Sequence, residues 1–182
     1  ALPGCEDVNA ELVDAILEEA GKLAGDVIAP TNYNGDKQGA RWDDGKVTVP
    51  DGFKDAYRAY VEGGWNSIPF TPDFGGQGLP WTIATAVQET WQSANMAWAL
   101  CPLLNQGAVE ALTAHASDEI RNTYLAKMIS GEWSGTMNLT EPQAGSDLSL
   151  VRSKAEPDGD HYRIKGQKIF ITFGEHDLSD QI

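Results

Sequence analysis

The sequence predicts an α+β chain in two parts: an all-α N-terminal helical bundle over residues 1–130, then the incomplete beginning of an antiparallel β-barrel domain over residues 131–182. Two observations support this class. As far as Ser130, apolar residues recur every three or four positions, which is the period of a helix that faces a core. Beyond Gly131 the segments are short, rich in β-branched and aromatic residues, and separated by turn residues, which is typical of strands.

Two amphipathic helices open the first part. Asn9 precedes an apolar stripe and can cap its first turn, so a helix begins there, and Pro30 is predicted to end it. Turn residues fill positions 31–50, which predicts a loop with a short extended piece at 46–49. A second helix, which Gly63 stops, is predicted to bury an apolar stripe in the core. The stripe consists of Phe53, Tyr57, Tyr60 and Val61.

The most apolar helix of the chain follows a connection rich in glycine and proline at 65–79. Pro80 suits its first turn, and its apolar residues surround it almost completely, so we expect it to be buried within the bundle. Pro102 is predicted to break this helix. A last helix begins at Asp118 and ends at Gly131. Its predicted inward residues are Ile120, Tyr124, Leu125 and Met128.

The second part is predicted to contain four short strands. They lie at 134–139, 152–155, 162–165 and 168–172. Residues 157–160, with the sequence Pro-Asp-Gly-Asp, predict the turn of a hairpin. Four strands are too few to close a barrel, so we expect this domain to be incomplete. Because the chain opens at Ala1 without an initiator Met, we expect it to be one piece of a longer protein.

Charge and cysteine content narrow the possible partners. The 27 acidic residues exceed the 13 basic ones, and the net charge of −14 repels phosphate backbones and anionic membranes, so no nucleic-acid partner is predicted. No apolar run approaches the length of a membrane-spanning helix. Cys5 and Cys101 lie far apart, which predicts neither a disulfide nor a metal cluster. Unpaired cysteines fit a reducing compartment, and we expect a cytoplasmic location.

Residues 137–147 contain the groups that are best suited to bind a ligand. This stretch leaves a predicted strand, stops at Pro142 and bends at Ala144-Gly145, with hydroxyls and carboxylates on both sides. Such a bend can present backbone N–H groups and short hydroxyls to a planar ligand, and Gly145 allows a close approach. Glu141 and Asp147 could form an acid–base pair, but we interpret them as acceptors of backbone N–H groups that hold the bend.

Two blocks of this sequence resemble the signature of the acyl-CoA dehydrogenase family. The first is Thr140-Glu141-Pro142 with Ala144-Gly145-Ser146-Asp147, and the second runs from Gly166 to Thr172. The resemblance implies FAD as cofactor, an acyl-CoA substrate, electron-transfer flavoprotein as partner, a role in the β-oxidation of fatty acids, and a homo-oligomeric full-length protein. The family's catalytic base is a Glu of a C-terminal domain, and no residue here matches it. No catalytic residue and no metal site are therefore predicted, and we expect this chain alone to be inactive.

By the same resemblance, eight residues would contact the flavin. Phe170 would stack near the ring, where many relatives have Trp, while Ile171 and Thr172 would offer a backbone amide and a hydroxyl near O4 and N5. The complete set is Met137, Leu139, Thr140, Gly145, Ser146, Phe170, Ile171 and Thr172. His176 belongs to a Gly-Glu-His-Asp motif seen in one branch of the family, and we expect it at the surface or in a loop.

Three alternatives stay open on the sequence alone. An acyl-CoA oxidase has the same fold and flavin site but passes its electrons to O2. A relative that keeps the flavin fold without dehydrogenation would be a binding module for another partner; the negative charge disfavours a nucleic acid in that role. The helical part by itself would serve as an interaction module for another protein.

Overall fold

A computed structural model describes residues 5–182, so the first four residues of the predicted helical part lie outside the described range. Helices dominate the chain as far as Ser130, with one short hairpin between them, and a second antiparallel hairpin follows, which confirms the α+β class. The helices and strands are α1 (Ala10–Leu23), α2 (Pro30–Gln38), β1 (Arg41–Asp43), β2 (Lys46–Thr48), α3 (Phe53–Glu62), α4 (Trp81–His115), α5 (Asp118–Ser130), β3 (Lys154–Asp158) and β4 (His161–Lys165).

The first helix begins as predicted but does not stop at Pro30. The Asn9 side chain accepts a hydrogen bond from the Leu12 N–H at 2.9 Å and caps α1. The helix then widens into a π segment, Ala24–Ile28, and Pro30 occupies the first turn of α2. Proline is tolerated there because its missing N–H would have no partner inside the helix. The prediction that Pro30 ends the helical course was therefore wrong.

Residues 31–50 were predicted as a loop, and the structure has α2 and a hairpin there. The polar side chains of α2 fold it down onto Asp51: Gln38 Nε2 donates to the carboxylate at 2.8 Å, and Asn34 Nδ2 donates to the carbonyl at 3.1 Å. These partners lie 13 and 17 positions away, so local turn propensity did not reveal them. The extended piece at 46–49 is confirmed as β2, which pairs with β1.

The longest helical run, α4, folds back on itself at Asn95 and not at Pro102. Asn95 has extended dihedral angles of φ −157° and ψ 95°, and its side chain accepts from the Trp98 N–H at 3.1 Å, as an N-cap does. Gln88 and Gln106 then lie within a hydrogen bond of 3.0 Å, although 18 residues of straight helix would span about 27 Å. Pro102 remains inside the second half, so the predicted break was misplaced.

Aromatic side chains form the centre of the helical core. The predicted stripe of α3 is confirmed as core, since Phe53, Tyr57 and Tyr60 are all buried. The Tyr60 ring meets Trp91 and Trp98 edge to face, with centroids 6.0 and 5.5 Å away. Such edge-to-face pairs stabilise a core beyond the area they bury. This cluster ties α3 to both halves of α4.

The last helix ends where Gly131 adopts a left-handed conformation, with φ 83°. Two of its predicted inward residues, Leu125 and Met128, are buried, whereas Ile120 and Tyr124 are 42% and 43% exposed, so the predicted face was rotated. The division of the chain into domains 1–130 and 131–182 stays a prediction. None of the helices within residues 5–182 combines the length and apolar character needed to cross a bilayer.

Only one hairpin of the second part has a regular ladder in the described range. β3 and β4 pair over five residues each, with the predicted turn at Gly159-Asp160. The segments 134–139 and 168–172 were predicted as strands, but they lack a ladder and make only isolated backbone pairings. A strand needs a continuous partner, and no ladder partner lies beside either segment among residues 5–182.

Candidate functional site

The two blocks singled out in the sequence lie side by side. The Ile169 N–H donates to the Thr140 carbonyl at 2.9 Å, and Thr136 Oγ1 donates to the Thr172 carbonyl at 2.6 Å. As the first block runs forward the second runs back, so the pairing is antiparallel. Segments that are separated by about thirty residues in sequence therefore form one surface.

The buried carboxylate of Glu141 holds this arrangement together. Its Oε1 pairs with Lys168 Nζ at 2.8 Å and accepts from the Ser153 N–H at 3.0 Å. Its Oε2 accepts from the Arg152 N–H at 2.8 Å and from Gln143 Nε2 at 2.6 Å. The bonds from Lys168, Ser153 and Arg152, in that order, hold the pKa of Glu141 well below its usual value of 4.5. The carboxylate is thus held in its charged form and joins the first block to Lys168 of the second; we call it the Glu141 clamp.

The interpretation of Glu141 and Asp147 as backbone acceptors is confirmed. The bend itself closes through two backbone bonds, from the Glu141 N–H to the Ala144 carbonyl at 2.8 Å and from the Ala144 N–H to the Glu141 carbonyl at 3.0 Å. Asp147 accepts from both the N–H and the hydroxyl of Ser149, at 3.0 and 2.6 Å, and these bonds lower its pKa. Both oxygens of Glu141 are occupied by donors, so this carboxylate is not available to take a proton from a substrate.

Most of the eight predicted cofactor contacts lie at the surface. The four apolar ones are accessible to a ligand, since Met137 is 57% exposed and Phe170 is 85% exposed, with Leu139 and Ile171 close to 40%. Thr140 is half-buried, and Gly145, Ser146 and Thr172 are exposed. Their role as flavin contacts stays a prediction. Phe170 has a left-handed backbone, with φ 55°, which is unusual for a bulky residue.

His176, predicted at the surface or in a loop, lies outside the helices and strands but is buried. Its Nδ1 accepts from the Leu178 N–H at 3.1 Å, and its Nε2 lies 3.0 Å from Ser134 Oγ and 3.9 Å from Cys101 Sγ. Burial lowers its pKa below the ordinary value of 6.5, against the opposing charges of Asp177 and Glu175. The Gly-Glu-His-Asp motif was the one sequence signal that pointed to this residue.

The neighbouring cysteine is buried and protonated. Cys101 is 1% exposed, and burial raises its thiol pKa to about 12. Cys5 is half-buried, and the two are unpaired. Within residues 5–182 no three His, Cys, Asp or Glu side chains converge as metal ligands would.

Comparisons with known proteins point to the same family that the two blocks resemble. Residues 12–132 match the model of the acyl-CoA dehydrogenase N-terminal domain. The chain is 50% identical over its full length to 3-methylmercaptopropionyl-CoA dehydrogenase of Ruegeria pomeroyi, and 37% identical over 93% of its length to a butyryl-CoA dehydrogenase of Syntrophomonas wolfei. It spans less than a third of either relative, 31% and 28%.

A solved structure shows the same fold. The glutaryl-coenzyme A dehydrogenase in complex with glutaryl-CoA superposes with a TM-score of 0.77 at 23% identity. The match covers 90% of this chain and 40% of that one. The helical order, the paired blocks and the family match over two thirds of the chain lead to one conclusion: the chain belongs to the acyl-CoA dehydrogenase family.

Proposed function

We propose that the full-length protein is an FAD-dependent acyl-CoA dehydrogenase that converts an acyl-CoA thioester to the trans-2-enoyl-CoA. The observation that carries the proposal is the pairing of the two blocks, with Thr140 bonded to Ile169 and Thr136 to Thr172. It joins an exposed apolar surface to a row of short hydroxyls and backbone groups. Those are the groups that a flat ring with one hydrogen-bonding edge requires.

The residues present fit this cofactor. Met137, Leu139 and Phe170 would cover an apolar ring face and exclude water from it, and Thr140, Ser146 and Thr172 would bond its polar edge. FAD would supply a hydride acceptor at N5. Phe170 gives a flat surface but carries no N–H, so the bond that a Trp could donate there is absent. The Glu141 clamp keeps the two halves of the surface in a fixed relation before any ligand binds.

The catalytic base lies, on this proposal, in a part of the protein beyond these 182 residues. Glu141 is committed to four donors, so it does not fill that role. The chain alone should then be inactive and should bind FAD weakly. Electron-transfer flavoprotein is the proposed electron acceptor, the proposed assembly is a homo-oligomer, and the proposed location is the cytoplasm.

Among substrates, 3-methylmercaptopropionyl-CoA is the first to test. The relative that bears this name is 50% identical over the whole chain, against 37% for the butyryl-CoA dehydrogenase. Visible spectra of the full-length protein, recorded anaerobically before and after each acyl-CoA is added, should show a flavin band that bleaches. A colourless protein that cannot be loaded with FAD would contradict the proposal. Peroxide formed in air at the rate of turnover would indicate an oxidase instead.

Gly145 offers a separate test of the site. An added Cβ at this position would meet only Thr140 Cγ2, at 3.9 Å, and the backbone is not left-handed, so Gly145→Ala should leave the free energy of unfolding within about 0.5 kcal/mol of wild type. If a ligand approaches this backbone closely, the methyl group should still weaken FAD or acyl-CoA binding. Titrations of both ligands measure this.

The matched control is Gly21→Ala, on the exposed face of α1, where an added Cβ meets nothing within 4 Å. It should leave the affinity for both ligands unchanged. Equal affinities for the Gly145→Ala variant and wild type would mean that no ligand touches this bend.

A further inference from the structure

The ring of His176 connects the segment just before the first block to the segment just after the second. The Leu178 N–H donates to Nδ1 at 3.1 Å, so Nδ1 is an acceptor and the ring proton sits on Nε2. Nε2 then donates to Ser134 Oγ at 3.0 Å, and the Ser134 and Ser179 hydroxyls share a hydrogen bond of 2.9 Å. Ser134 precedes the first block by six residues, and His176 follows the second by four residues.

This tautomer excludes a nucleophilic serine. A base must accept the hydroxyl proton, and Nε2 of His176 already carries one. Ser134 is also only 3% exposed, so no substrate could reach it. The pair has a structural task, and its polar atoms are all satisfied within the described chain.

The backbone between the second block and His176 is strained. Phe170 and Phe173 both have left-handed backbones, with φ 55° and 51°, and they flank Ile171 and Thr172. Bulky residues adopt this conformation only where their surroundings enforce it, because it brings the Cβ close to the backbone carbonyl. The Phe173 ring packs edge to face on His176 with centroids 5.4 Å apart. His176 therefore lies against the turn whose strain has to be offset.

Side chains next to His176 attach the segment 173–178 to the helices. Asp177 Oδ1 accepts from the Val49 N–H at 2.9 Å, and its other oxygen pairs with Lys54 Nζ of α3 at 2.5 Å. Phe173 and Leu178 also pack against the main helical core. The segment is thus anchored to the helices at Asp177, while the side chains of His176 and Ser179 connect it to Ser134.

We infer that His176 is a positioning residue, which in its Nε2–H form holds the Phe170–Thr172 backbone beside the first block through Ser134. We call the bonded set of His176, Ser134 and Leu178 the latch. One consequence rests on the proposed function: the latch would set the geometry of the flavin edge. It would exist whether or not FAD binds.

Three variants of the full-length protein distinguish the roles of the two ring nitrogens of His176. His176→Asn keeps an acceptor for the Leu178 N–H, as in an Asx turn, but is too short to reach Ser134. His176→Gln carries an amide N–H to about the position of Nε2 and restores the bridge, and Ser134→Ala removes the acceptor. We expect His176→Asn and Ser134→Ala to weaken FAD binding about tenfold and to shift the flavin midpoint potential, and His176→Gln to restore both.

Hydrogen exchange in the apo full-length protein tests the latch without the cofactor. His176→Asn should speed exchange in residues 133–140 and 169–181 and leave residues 83–99 of α4 unchanged. Unchanged exchange, a uniform rise that includes α4, or a failure of His176→Gln to rescue would each overturn the inference. A wild-type protein that never binds FAD, yet shows the expected exchange pattern, would refute the proposed function and keep the latch.

Acid should open this latch. The charged or titratable groups facing His176 are Cys101 of α4, which stays neutral, and Asp177 and Glu175, whose charges partly oppose burial. Lys54 neutralises Asp177 from α3. Burial lowers the pKa of His176 in the folded protein. The contribution of neutral His176 to stability is therefore complete above its unfolded pKa of 6.5 and is lost as the pH falls through its lower folded pKa.

Exchange in residues 169–181, corrected for intrinsic rates, should therefore rise as pH falls below 6.5, while residues 140–153 stay protected by Glu141, whose usual pKa is 4.5. The His176→Gln variant should show no such rise. An identical pH profile in the two proteins would overturn the role of His176.

Discussion

Replacing Trp98 with alanine should lower the free energy of unfolding of the helical domain by about 3–5 kcal/mol. Trp98 is completely buried, and its ring meets Tyr60 edge to face at 5.5 Å. Its indole N–H also donates to the Phe53 carbonyl at 3.2 Å. The substitution would leave a large cavity and an unpaired buried carbonyl, two costs that add to each other.

Urea denaturation followed by circular dichroism at a helix band would measure this change. Trp42→Ala is the matched control, since Trp42 lies in the β1–β2 hairpin and is 73% exposed. It should change the free energy by no more than about 0.5 kcal/mol. Comparable losses for the two variants would mean that Trp98 does not lie in the centre of the core.

Replacing Glu141 with glutamine should weaken FAD binding by the full-length protein by roughly ten- to a hundredfold, because hydrogen bonds to a charged group are lost. A glutamine has one acceptor oxygen, so its amide nitrogen would face two donors from which it cannot accept. The charge that pairs with Lys168 would also disappear. The two blocks would then be free to separate, and the surface for the ring would lose its shape.

Affinity measured by flavin fluorescence quenching would test this prediction. Glu156→Gln is the control, because Glu156 pairs with Lys165 on the exposed β3–β4 hairpin and contacts neither block. It should leave the affinity unchanged. An FAD affinity of the Glu141→Gln variant equal to wild type would show that the clamp does not shape the cofactor surface.

Much of the candidate site could be predicted from sequence, because its signals are local. Glu141 precedes a proline and a glycine-containing bend, and a carboxylate in that setting accepts backbone N–H groups, as the structure confirms. His176 was missed for the opposite reason. Its partners are Ser134 and Cys101, 42 and 75 positions away, so nothing beside it in the chain indicates burial.

The same distinction holds for the fold. The sequence by itself determined the helix-then-strand order, the Asn9 cap, the buried face of α3 and the family to which the chain belongs, because periodicity, caps and motifs are written in neighbouring residues. The tertiary structure alone decided that α2 forms where turn residues predict a loop, and that α4 reverses at Asn95. Asn95 Nδ2 bonds Thr31 Oγ1, 64 positions away, and such distant partners outweigh local propensity.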